Sequence, residues 1–93
     1  MTGGPNRYYP GRDSHGLHVV IRDARFTPVR FALGYDMRQV DDLLDRLVEA
    51  LDAGRPVRPL VEAATFDDAR WREGYRKVDV DALLAEVARR ADA

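Results

Sequence analysis

The sequence predicts a mainly α protein. It has two repeated loop-helix units related by pseudo-two-fold symmetry and joined through a coiled-coil-like helix pair. Three observations predict this class. First, the chain repeats itself at an offset of forty residues. Phe26, Arg30, Phe31, Gly34, Tyr35, Val40, Asp41, Leu43 and Leu44 return as Phe66, Arg70, Trp71, Gly74, Tyr75, Val80, Asp81, Leu83 and Leu84. Self-similarity at a fixed period marks one supersecondary unit used more than once. Second, each copy ends in apolar residues spaced alternately by three and four, the rhythm of a helix with one buried seam. Third, a chain of 93 residues buries only a modest interior, so packing one copy on the other, or on a second chain, would enlarge it. The division is a flexible tail at 1–16, a first repeat at 17–54 and a second at 55–93.

Taken in order, residues 1–16 hold four Gly and two Pro, a segment that costs much entropy to order and has little to bury. Leu17-His18-Val19-Val20-Ile21 is a β-branched run that reads alone as a strand. Its counterpart, Val57 to Val61, contains Pro59 and reads as a short helical turn with Pro at its start. Either the two copies differ here or both form a turn. Phe26 to Leu33 contains Pro28 and reads as extended chain or a hairpin-like loop. The matched Gly34 and Gly74 call for a positive φ or a close approach by a neighbour.

Helix one starts from Asp36 as N-cap, with Gln39 placed to complete a capping box. Its seam is Met37, Val40, Leu44, Leu47 and Leu51, widened by Leu43 and Val48. Gly54 stops it and Pro56 prevents its continuation. A connector spans 55–65, and the loop repeats over 66–75. Helix two runs from Lys77 or Val78 to about Arg90. Its seam is Val80, Leu84, Val87 and Ala91, with Leu83 and Ala88 beside it. Arg76 stands where the first copy has its capping Asp36, so Asp79 is the substitute cap, at the cost of a shorter helix. Arg89 and Arg90 suit the negative end of the helix dipole. The predicted helix-pair core is therefore Val40, Leu44, Leu47, Leu51, Val80, Leu84 and Val87.

Composition narrows the function. The net charge is −1, against the basic excess of a general nucleic-acid binder, although residues 1–31 hold five Arg against two Asp. With no cysteine, disulfides, thiolate nucleophiles and Cys-ligated zinc are excluded. No apolar run approaches a membrane span and no signal peptide is visible, so the expected location is cytoplasmic. No phosphate loop, nucleophile elbow or zinc motif appears, and no cofactor or metal is expected. His15 and His18 lack a further ligand nearby and read as plain polar residues. Asp41 and Asp81 match across the copies. They fall in early helical turns where negative charge is favoured anyway, so acid–base catalysis carries little weight and the chain reads as non-enzymatic.

The string Phe26-x-x-x-Arg30-Phe31-x-x-Gly34-Tyr35-Asp36-x-x-x-Val40-Asp41-x-Leu43-Leu44, which returns with Trp71 for Phe31 and Arg76 for Asp36, resembles the DivIVA domain of bacterial cell-division and polarity proteins. The two copies are similar to the tandem DivIVA-domain repeats of actinobacterial proteins. The resemblance covers about residues 20–91 and departs from the family at Arg76, where an acid is usual. It implies an adaptor or scaffold module in cell division or polar growth, with protein partners and contact with the inner face of the cell membrane. In the family, a loop just before the Gly-Tyr corner dips an aromatic side chain into the bilayer, helped by basic neighbours. The 93 residues hold no run of the length of the family's coiled-coil tail, and the aromatics lie earlier, at Phe31 and Trp71, so they match in kind and not in position.

Arg30, Phe31, Arg70, Trp71 and Arg72 are thus the candidate contact residues, for an anionic membrane surface or a protein partner. The plainer reading, favoured on general grounds for a small protein, puts both aromatics in the core and pairs the arginines with acids such as Asp41 and Asp81. Phe26 and Phe66 read as core more firmly still. Tyr35 and Tyr75 are expected beside their own helix starts, hydroxyl outward. The alternative function is a soluble protein-protein interaction domain with no lipid contact. The leucine seam leaves two arrangements open, a helix pair within one chain or a homodimer pairing across chains.

Overall fold

The computed structural model describes residues 14–91. Its elements are α1 (Ser14–Arg22), β1 (Pro28–Arg30), a 3-10 turn (Phe31–Leu33), β2 (Gly34–Tyr35), α2 (Met37–Asp52), α3 (Arg58–Ala63), β3 (Glu73–Arg76) and α4 (Lys77–Ala91). The three strands form one antiparallel sheet in the order β1-β3-β2. The class is therefore α/β, and the expectation of a mainly α protein is corrected. Most of the predicted tail lies outside the described residues, but Ser14, His15 and Gly16 belong to α1.

The coiled-coil-like helix pair is also absent. The long helices α2 and α4 do not lie side by side; α1 and α3 each pack against both of them. Leu17 and Ile21 of α1 and Val57 at the head of α3 join Val40, Leu43, Leu47 and Ala50 of α2 and Val80, Leu84 and Val87 of α4 in a single core. A three-four rhythm shows that one helical face is buried, but not by how many neighbours. Here short helices cover what a second long helix would cover in a coiled coil. Of the predicted seam, Val40, Leu47, Val80, Leu84 and Val87 are buried, whereas Leu44 and Leu51 only flank the core. The innermost line of α2 is Val40, Leu43, Leu47 and Ala50.

Leu17 to Ile21 is helical, not a strand. Its burial has helical spacing, since Leu17 and Ile21, four apart, are the two buried positions. Local β-branching gave way to tertiary packing, the usual outcome when a short segment has a helical face to bury. Gly54 ends α2 as expected, at φ +69°. The amide of Gly54 donates to the Leu51 carbonyl and that of Arg55 to the Ala50 carbonyl, the pair of bonds that closes a Schellman turn.

The sheet is where the two copies meet. Gly34 pairs with Arg76 and Tyr35 with Tyr75 in the β2–β3 register, so the matched tyrosines of the two copies lie opposite each other. Pro28 pairs with Tyr75 in the β1–β3 register, and an isolated bridge joins Asp68 to Tyr35, which is the same pairing shifted by forty residues. The strands approach closely enough to demand glycine. A Cβ on Gly34 would lie 2.8 Å from the Gly74 carbonyl carbon. Gly34 itself has φ −126°, so close approach, not a left-handed backbone, explains it.

Helix starts are shared in the same way. The Asp36 amide donates to the Asp67 carbonyl (2.8 Å), and the Arg76 amide donates to the Thr27 carbonyl (2.9 Å). Asp36 caps α2 by accepting from the amides of Arg38 and Gln39. Gln39 does not complete a box within its own turn. Its side chain accepts from the Asp67 amide at 2.7 Å and donates to the Asp67 carboxylate. Asp79, its counterpart, accepts from the Thr27 amide at 2.8 Å. That backbone hydrogen bond holds its carboxyl below the usual range. Asp79 therefore does not cap α4, which begins at Lys77 without being shortened.

Candidate functional site

The sheet carries its loops to one apex. The β1–β3 ladder continues outward from Arg30 opposite Glu73 to Phe31, whose amide donates to the Arg72 carbonyl at 3.1 Å. The tips of both repeats are thus brought together. The apex is apolar and exposed: Phe31 is 52 % exposed, Leu33 71 % and Trp71 85 %. The plainer reading of the two aromatics as core is overturned. Phe31 also adopts φ +58°, a left-handed backbone that a bulky side chain takes at a cost of order 1 kcal/mol. The hydrogen bond to Arg72 holds it there.

The arginines are not the partners of Asp41 and Asp81. Among the described residues, Arg30, Arg70 and Arg72 make no ion pair. Acids along these loops are otherwise engaged. Asp36 is held by amides of α2, Asp67 by Gln39, and Asp68 by Lys77 at 2.7 Å. Glu73 stands opposite Arg30 in register with no ion pair between them. An open basin beside the apex runs along the loop from Phe66 to Arg72, with Asp36 on its wall. The result is an apolar tip carrying three uncommitted guanidinium groups. Sequence reasoning named Arg30, Phe31, Arg70, Trp71 and Arg72; it missed Leu33, because the strand-like pattern around it gave no sign that the turn would lift it out of the fold.

Asp41 and Asp81 serve the tyrosines instead. The Tyr35 hydroxyl donates to Asp81 at 2.9 Å and the Tyr75 hydroxyl to Asp41 at 2.8 Å. Each tyrosine also packs on a phenylalanine of the opposite copy, Tyr35 on Phe66 (5.0 Å between centroids) and Tyr75 on Phe26 (4.8 Å). Phe26 and Phe66 are partly buried against the core. Each tyrosine therefore joins the opposite copy's helix, not its own helix start. Both carboxylates are engaged as acceptors in matched structural pairs.

These pairs have a pH consequence. Burial first, then the hydrogen bond to Asp41 and its charge, push the Tyr75 phenol up to about 12. Tyr35 is raised for the same reasons, with Asp81 as its partner. A phenol ionises near pH 10 in the unfolded chain, so folding favours the protonated form. The stabilisation is complete below about pH 10 and fades as pH climbs towards 12. With water at the hydroxyl, about 1 kcal/mol is a fair scale for Tyr75. Urea unfolding at about pH 8 and about pH 11 should show wild type losing stability that Tyr75→Phe, weaker at the lower pH, does not lose. Parallel losses in both proteins would remove this assignment.

No family model, curated protein or solved structure matches this chain. Among the described residues, no helix is long and apolar enough to cross a membrane, and no cluster of three His, Asp or Glu is placed to hold a metal ion.

Proposed function

We propose that this protein is a non-enzymatic adaptor or scaffold module of the cytoplasm that rests its apex on the anionic inner face of the cell membrane and presents its helices to protein partners. The observation that carries the reading is the exposure of Phe31, Leu33 and Trp71 on one tip beside three unpaired arginines. Aromatic side chains favour the headgroup region of a bilayer. Arginines near an anionic leaflet contribute about 1 kcal/mol each. The resemblance to DivIVA domains, carried by the repeated Gly-Tyr and Val-Asp-x-Leu-Leu motifs, supports a place in cell division or polar growth.

The apex also disfavours self-association, since two copies tip to tip would bring six guanidinium groups together. Co-sedimentation with vesicles rich in phosphatidylglycerol tests the reading. Wild type should pellet with them, while Phe31→Ser/Trp71→Ser and Arg30→Gln/Arg70→Gln/Arg72→Gln should stay in the supernatant. The arginine variant should lose roughly 100-fold in partitioning, from about 3 kcal/mol at 1.4 kcal/mol per decade. Equal sedimentation of all three proteins, or none of wild type, would remove lipid contact and leave the soluble protein-binding alternative.

A further inference from the structure

We infer that a second copy of this chain can replace either half of the fold, so that the protein assembles by exchanging its repeats between copies. The inference does not depend on the apex meeting lipid; it rests on how the halves are joined. Each half presents what the other lacks. Asp36 and Arg76 donate to Asp67 and Thr27. Gln39 and Asp79 receive the amides of Asp67 and Thr27. Tyr35 and Tyr75 reach Asp81 and Asp41. Each of these contacts joins the first half to the second, and each is one of two forms related by the forty-residue offset. Neither β1 nor β2 has a strand partner within its own half closer than β3. An unpaired half therefore exposes sheet edges, glycine faces and capping groups that only the other repeat, from any copy, satisfies.

The connector between the halves lies at the surface. Asp52 to Pro56 are exposed, and Gly54 has nothing within 4 Å of where a Cβ would stand. In a lone chain the short connector keeps the second half at an effective concentration of about millimolar, so the closed monomer dominates in dilute solution. When copies are crowded to a similar density, exchange competes. It then yields closed pairs or head-to-tail chains, the two outcomes open to a heterologous contact.

The absence of native cysteine gives a clean test with the full chain. Hydrogen bonds at Phe31–Arg72 and Thr27–Arg76 flank Arg30 and Glu73, which face each other in register. Such a non-hydrogen-bonded pair has a Cα separation that suits a disulfide. Chains carrying Arg30→Cys are mixed with chains carrying Glu73→Cys, unfolded, refolded together at about millimolar concentration and oxidised. Covalent mixed dimers are expected well above the yield from Arg30→Cys mixed with Asp45→Cys, whose second position lies on α2 outside the sheet. Wild type refolded in the same way should show dimer mass beside monomer at that concentration. Mixed dimers no more abundant than the control, or wild type monomeric at every concentration, would overturn the exchange.

Discussion

Gly74→Ala should cost about 3 kcal/mol or more and lower the midpoint of thermal unfolding by roughly 15–20 °C. A Cβ at this position would stand 2.5 Å from the Tyr35 carbonyl oxygen, 2.6 Å from the Ala69 Cβ and 3.0 Å from the Gly34 carbonyl carbon. Two of those neighbours are backbone in the facing strand, which cannot yield without breaking the β2–β3 pairing that unites the halves. A chain of this length has only about 5–14 kcal/mol of total stability, so one methyl group removes a large part of it. Gly54→Ala is the control. Gly54 has φ +69° and open space around it, so alanine there meets only backbone strain, about 1 kcal/mol. Thermal melts of the two variants separate overlap from strain. A Gly74→Ala protein as stable as Gly54→Ala would mean that the strands can part without loss.

Gly34 and Gly74 show what the sequence made legible. Their recurrence forty residues apart called for a positive φ or a close approach, and the structure shows the second, each glycine lying against the other's strand. The sheet around them was not legible, for a physical reason. Its strands are two to four residues long, too short for an alternating pattern, and each pairs with chain from the other repeat. Helix existence and the Gly54 stop followed from local periodicity and capping chemistry, which need no partner. Helix packing did not follow, because Leu17 and Ile21, read as strand, turned out to be the helix that fills the core. At the apex, the residue types at 30, 31, 70, 71 and 72 flagged a surface site. Their exposure could not be read, since an aromatic beside a strand is apolar in either setting. Gln39 and Asp79 looked like local caps because their cross-repeat partners, Asp67 and Thr27, are distant in sequence.

Truncation along α2 tests the packing directly. Leu47 is 0 % exposed and sits in the shared core, so Leu47→Ala should cost about 3 kcal/mol, the transfer free energy of the lost methyls plus the cavity left behind. Leu44 and Leu51 pack only at the core's edge. Each is partly open to water, so its truncation loses less buried area and leaves a dent that solvent can fill; about 1 kcal/mol is expected for each. A helix paired with a parallel partner through the seam Val40, Leu44, Leu47, Leu51 would give a different series, with all three leucines costly because each would be a knob in the facing helix. Denaturant midpoints of the three variants, measured at one protein concentration, decide between these geometries. Equal costs at all three positions would require α2 to bury the Leu44–Leu51 side. Because α1 and α3 wrap both long helices, the expected order is Leu47 well above Leu44 and Leu51. The loss at Leu47 should also be accompanied by loosening of α1 and α4, visible as faster amide exchange at Ile21 and Val87, which share its core.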